Sequence, residues 1–172
     1  IQPDVDKSLS DEEKADVILK QMTLDEKINM LGGEDNLAIK GLERLGLPKV
    51  WCSDASAGVR CFQRATAFPV PVAMTATWNR DLLGEIGETI AKECRAKGVS
   101  ILLGPGVNIY RVPTCGRNFE YMGEDPFLAS ELVVPYIKGV QSYDVITTVK
   151  HFACNNSDYD RHRMNSIVDD RT

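Results

Sequence analysis

Four polar residues stand just beyond short apolar runs. Asp54 follows Lys49–Cys52, Arg117 lies in the polar stretch after Val99–Leu103, and the adjacent Lys150 and His151 close Val145–Val149. An ionised Asp accepts hydrogen bonds, Arg presents a rigid fork of donors, Lys is a point charge, and His donates or accepts according to its tautomer. Brought to one face, they make a pocket dense in donors and acceptors. A hydroxyl-rich ligand suits such a pocket, because each sugar hydroxyl both donates and accepts. Trp51 or another aromatic offers a ring face for stacking, with burial in a core as its alternative reading. Asp54 taken alone also reads as a turn or cap residue. Two other functions fit the same residues. Lys150 at a strand end matches the Schiff-base lysine of a barrel aldolase, although its His neighbour and the Arg-rich loop offer no obvious carboxylate pair for carbonyl chemistry. A non-catalytic sugar-binding or interaction module is the other. Borohydride trapping of a lysine adduct separates the aldolase from both. Spacing alone reaches a polar, sugar-like ligand.

These residues need elements to position them. The stretch Leu103–Pro126, LGPGVNIYRVPTCGRNFEYMGEDP, is too rich in Gly and Pro for a helix and too long for a turn. Structureless loops beyond ~12–15 residues in a compact domain are functional or disordered. Tyr110, Phe119 and Tyr121 argue for order, and Arg111 and Arg117 sit beside Glu120, Glu124 and Asp125. Upstream, Ser10 with Glu13 and Thr23 with Glu26 form capping-box patterns that open two helices, and Gly32-Gly33 stops the second. Strands are predicted near 49–52, 72–76, 99–103 and 145–149, the second irregular or at an edge because of Pro69 and Pro71. Asn79 caps a helix from Arg80 to about Lys97, and Asp125-Pro126 opens another to about Gln141. This rhythm predicts an α/β fold of parallel strands joined by right-handed crossovers. The polar candidates fall at strand C-terminal ends, where α/β barrels and doubly wound sheets both build their sites. No GxGxxG or GxxxxGK[ST] follows a strand, which removes the usual reason to choose the open sheet.

With 172 residues the chain fits one domain or part of a larger one, and 43% hydrophobic residues suffice for a packed core. A net charge of −5 argues against nucleic acid or an anionic membrane as partner. No apolar run approaches the ~18 residues of a membrane span. The N-terminus does not read as a signal peptide. It starts with Ile rather than Met, so an upstream segment is expected to have been removed. A soluble protein is expected, with the compartment open: cytoplasmic, or exported with its leader already removed. The five cysteines (52, 61, 94, 115 and 154) are odd in number and form no CxxC pair, and so read as reduced and structural. His151 and His162 do not make a metal site.

The blocks SDASAGVR, ATAFP, ATWN, LLGPGVNIYRVPTCGRNFEYMGEDP, GVQS, TVKHFACNN and NSIVDDRT resemble the N-terminal barrel domain of glycoside hydrolase family 3, on its β-glucosidase side. The resemblance is collinear from about Met22 to Thr172. It implies that Asp54, Arg117, Lys150, His151 and Arg161 hold the sugar next to the cleaved bond, and that Lys150–His151 is a cis bond turning both side chains into the pocket. It implies an exo-acting, retaining β-glucosidase that removes terminal β-D-glucosyl residues without metal or cofactor. A β-xylosidase or other β-glycosidase of the family is the runner-up, and a non-catalytic carbohydrate-binding fragment the alternative of another class. Ala55 and Ser56 replace the family's usual Gly-Pro, and ACNNSDYDRH stands where the N-acetylglucosaminidase branch has PGHG. A full (β/α)8 barrel needs ~250 residues. Residues 1–172 are therefore expected to form about half a barrel, with 1–33 a helical lead-in and 34–172 the strand and helix repeats. The rest of the barrel and a second domain are expected elsewhere. Neither catalytic carboxylate is expected in this chain, because the resemblance places the nucleophilic Asp on a later strand and the acid/base Glu in the second domain. Asp158, Asp160 and Asp169 read as loop residues. The chain alone is expected to be inactive, and to need the remaining polypeptide or a second copy to complete the barrel.

Overall fold

The computed structural model describes residues 5–60 and 64–171 and divides into two compact units, Ile1–Cys52 and Ser53–Thr172. Cys61 lies outside the described residues.

In the first unit the predicted caps open both helices. Ser10 and Glu13 satisfy each other's backbone N–H groups at the start of α1 (Asp11–Gln21), and Thr23 and Glu26 do the same for α2 (Leu24–Leu31). Arg44 adds two hydrogen bonds to Glu26, whose carboxyl is lowered to about 2, first by that guanidinium. A hairpin that the sequence reading lacked follows, β1 (Gly33–Glu34) against β2 (Ala38–Ile39). Its turn is made by Asp35 and Asn36 at positive φ, which short polar side chains tolerate best among non-glycine residues. β3 (Val50–Asp54) pairs antiparallel with β2, Ala38 opposite Trp51. It runs two residues further than predicted, so Asp54 is the strand's last residue.

In the second unit, the strand predicted near 72–76 is a helix, α3 (Pro71–Thr75). Proline cannot donate to a strand ladder, but at the first helical position no donor is needed. Val70, extended as residues before proline prefer, accepts from Ala73 and Met74. α4 (Arg80–Ala96) begins at Asn79, whose side chain accepts from Leu82 N at 3.1 Å. Leu83, Ile90, Ala91 and Cys94 fall on one face of α4 and are fully buried. Gly98, at φ 72°, turns the chain into β4 (Val99–Leu103). α5 (Pro126–Gln141) is capped by Asp125, which accepts from Phe127 N at 2.9 Å. Leu132, Tyr136 and Val140 of α5 pack into the same core as α4, each large apolar side chain contributing ~1.5–3 kcal/mol. The two helices cross closely, since a Cβ on Gly139 would stand 2.3 Å from Gly84 O.

β5 (Ile146–Thr147) pairs parallel with β4, Ile101 beside Ile146 and Leu102 beside Thr147. The β4–α5–β5 unit is therefore the predicted parallel crossover. β5 is shorter than 145–149, but its pairing continues irregularly. Thr148 N donates to Leu102 O and Gly104 O, Lys150 N to Pro105 O, and Val107 N to Lys150 O at 2.7 Å. Among the described residues no helix is long and apolar enough to cross a membrane.

Candidate functional site

Gly106 is the point at which three segments of the second unit meet. It forms parallel bridges with both Tyr121 and Lys150. A Cβ there would lie 2.4 Å from Glu120 O and 2.8 Å from a Tyr121 ring carbon. Glycine is required because the long loop folds back against the extension of β4 with no room for a side chain.

That loop is ordered by its own polar groups. Tyr110 Oη donates towards Asn118 O and lies 3.0 Å from Tyr121 O, while Asn118 Nδ2 donates to Val112 O and Pro113 O. The short 3-10 turn Asn118–Glu120 carries Glu120 inward, leaving its side chain 4% exposed. Arg117 Nε donates to Glu120 Oε1. Lys150 Nζ lies 3.0 Å from Glu120 Oε2 and 3.0 Å from Asp54 Oδ1. Ser56 Oγ completes the Glu120 contacts at 3.3 Å. Burial works to raise the Glu120 carboxyl, but the hydrogen bonds from Arg117 and Lys150 outweigh it and hold the group below its ordinary range. Arg117 mirrors this, since burial disfavours its charge and Glu120 more than restores it.

His151 joins from the other side. The Lys150–His151 peptide bond is cis, as the resemblance implied. His151 N donates to Asn108 Oδ1 at 2.7 Å, its Nε2 lies 3.0 Å from Arg117 Nη2, and its Nδ1 lies 2.8 Å from Tyr121 Oη. Asn155 Nδ2 donates to the same hydroxyl at 2.7 Å. Burial, then the Arg117 charge, lowers His151 from its ordinary value, and burial pushes the Tyr121 hydroxyl up to about 12.

Asp54, Arg117, Lys150 and His151 thus form one connected cluster. Arg161 stands apart from it. Its half-exposed side chain pairs with Asp158 at 3.2 Å, and the charge of Asp158 reaches Arg117. The sequence reading had placed Glu120 and Tyr121 in the loop without giving them a role, and it left out Asn108 and Asn155. The three-residue spacing of Arg117 and Glu120 was the one available signal for the first. Trp51 faces Lys49, whose Nζ lies 4.7 Å from the ring centroid. The aromatic at the cleft is Phe119, half exposed. It lines a cavity of about 210 Å³ with Asp54, Ser56, Arg60, Arg117 and Glu120. That is below the ~300–1,000 Å³ of drug-sized sites and suits one small polar ligand. Among the described residues no three His, Cys, Asp or Glu side chains stand together as metal ligands.

Residues 1–172 match the family described as glycosyl hydrolase family 3 N terminal domain. The chain is 45% identical over 167 residues to thermostable beta-glucosidase B of Acetivibrio thermocellus, a match covering 90% of this chain and 22% of that protein. The crystal structure of a GH3 beta-glucosidase from Bifidobacterium adolescentis superposes with a TM-score of 0.79 at 42% identity, over 83% of this chain and 21% of that one. Beta-glucosidase 3B from Thermotoga neapolitana, solved in complex with alpha-D-glucose, gives 0.77 at 38% identity, over 84% and 24%. The chain spans about a fifth of the length of the curated relatives it matches.

Proposed function

Because the chain belongs to the N-terminal domain of glycosyl hydrolase family 3 and has the α/β fold of part of a (β/α)8 barrel, we propose that it is the sugar-binding part of a retaining, exo-acting β-glucosidase. Asp54, Arg117, Lys150 and His151 hold the terminal β-D-glucosyl residue, with Phe119 offering an apolar edge. Arg161 is the outlying member and reaches the sugar by exchanging its Asp158 partner.

One observation carries this reading. Two carboxylates and two cations, with a neutral imidazole, are hydrogen-bonded into one cluster at a small cleft. Such a cluster concentrates donors and acceptors in one place, which suits a hydroxyl-rich ligand. The same bonds argue against catalysis by Glu120. A general acid needs a pKa near the working pH, and Glu120 is held low between two cations. Asp158 and Asp169 serve local contacts, accepting from Arg161 and from Arg171 N. The nucleophile and the acid/base, which a retaining mechanism sets ~5–5.5 Å apart, are supplied by the rest of the barrel and by a second domain of the same polypeptide.

The experiment is an assay of the full-length protein on aryl β-glucoside and β-xyloside, with NMR of the first sugar released. Preference for the glucoside and initial release of the β-anomer are expected. Preference for the xyloside assigns the protein to the other specificity, and initial α-anomer refutes retention.

A further inference from the structure

Glu120 is the buried half of a charge balance. Its two oxygens take Arg117 Nε on one side and Lys150 Nζ and Ser56 Oγ on the other. Asp54, whose side chain is 45% exposed, takes the remaining bond from Lys150. The bonded cluster therefore sums to zero, two carboxylates against two cations, with His151 held neutral by the Arg117 donor at Nε2. Arg60 also lines the cleft and adds a solvent-screened positive charge at its exposed rim, outside the bonded cluster to which the balance refers. Arg117 and Lys150, without Glu120, would present a net positive site, the usual receptor for a carboxylate or phosphate.

We infer that Glu120 is a specificity-determining residue: by neutralising Arg117 and Lys150 from the wall of the cleft, it makes this site select uncharged sugars over uronic acids. The inference rests on the sugar-binding reading above and adds the charge class of the sugar. Both Glu120 oxygens are engaged by Arg117, Lys150 and Ser56, and its side chain is only 4% exposed, so its charge acts chiefly through the two cations. A glucuronate meeting the balanced cluster gives up hydration without gaining an uncompensated cation, and it faces the Asp54 charge. Discrimination of this kind works by leaving the wrong ligand's charge unpaired.

The test measures binding of glucose and of glucuronate to the full-length protein by titration calorimetry. Wild type is expected to prefer glucose. Glu120→Gln keeps the side-chain shape, removes one negative charge, and should shrink that preference by about tenfold, or 1.4 kcal/mol. Glu120→Asp keeps the charge and should retain the preference even where both affinities fall, which separates charge from mere packing. Asp54→Asn removes the other half of the balance from an exposed position; if Glu120→Gln does not fold, it should raise the affinity for glucuronate itself, which the loss of a sugar contact by Asp54 would not do. An unchanged preference in folded Glu120→Gln, or a glucuronate affinity that does not rise in Asp54→Asn where the first does not fold, overturns the inference. So does an equal loss of preference in Glu120→Asp. Wild type that binds no glucose refutes the sugar-binding reading itself.

Discussion

Arg117 Nη2 lies 3.0 Å from His151 Nε2, and because a guanidinium only donates, the imidazole accepts at that nitrogen. The ring proton then sits on Nδ1 and is donated to Tyr121 Oη at 2.8 Å. Tyr121 is itself buried and keeps its proton, with its hydroxyl pushed up to about 12 first by burial. His151 is thus a neutral spacer between Arg117 and Tyr121, and protonating it would place two donors face to face.

This arrangement has a pH signature. His151 is lowered from 6.5, first by burial and then by Arg117. A histidine whose folded value is depressed contributes stability that is present above the unfolded value and lost as pH falls through the folded one. The melting temperature of the full-length protein should therefore fall as the pH drops through and below 6.5. His151→Gln should fall less over that window, and an identical fall would show that other groups carry the effect. Glu120, depressed below 4.5, adds its own loss only at still lower pH.

Asp54 is the exposed carboxylate of the cluster and shares Lys150 with Glu120. A hydrogen bond between a charged group and a sugar hydroxyl is worth roughly 1.5–3 kcal/mol. Asp54→Ala in the full-length protein should lower kcat/KM on an aryl β-glucoside by about tenfold or more. Wild-type kinetics in that variant would remove Asp54 from the sugar site.

Gly106→Ala tests the backbone under the site. The new Cβ meets Glu120 O at 2.4 Å and the Tyr121 ring at 2.8 Å, and neither backbone oxygen nor buried ring can move freely. Overpacking of this kind costs about 1–3 kcal/mol. Urea unfolding should show that loss, with weaker glucose binding because Glu120 and its two cations shift. An unchanged midpoint would mean that the loop and the β4 extension are less tightly apposed.

Asn79→Ala removes the acceptor of Leu82 N at the start of α4. The expected cost is about 1 kcal/mol, read as a lower melting temperature with unchanged kinetics. A change in KM would couple this helix start to the site.

Residues 1–172 alone should show no turnover of an aryl glucoside, since the proposal places both catalytic carboxylates elsewhere in the protein. Activity from a lone 19.1 kDa species would return Asp158, Asp160 and Asp169 to consideration as catalytic groups.

The sequence by itself determined the elements whose signals are local. A cap and its partner lie three residues apart, so Ser10 with Glu13, Thr23 with Glu26, and Asn79 with the backbone of Leu82 locate helix starts without reference to the rest of the chain. The apolar face of α4 and the run Val99–Leu103 are equally local, and both appear where their periodicity puts them. Pro71 was ambiguous because one residue type serves both an irregular strand and a first helical turn. The hairpin turn at Asp35 and Asn36 depended on two positive φ values that only a residue-pair reading would have suggested. The cluster was legible as residue types, since Asp54 ends a strand, Lys150 and His151 lie just beyond one and Arg117 lies in the loop after β4, but their partners were not. Lys150 meets Asp54 across 96 residues of chain, and His151 meets Arg117 across 34. No spacing rule reaches that far. Only tertiary structure decided that Glu120 turns inward to bridge two cations while Arg161 stays outside with Asp158. The physical reason is desolvation: a carboxylate is buried only where opposite charges and donors have already been assembled around it by segments distant in sequence.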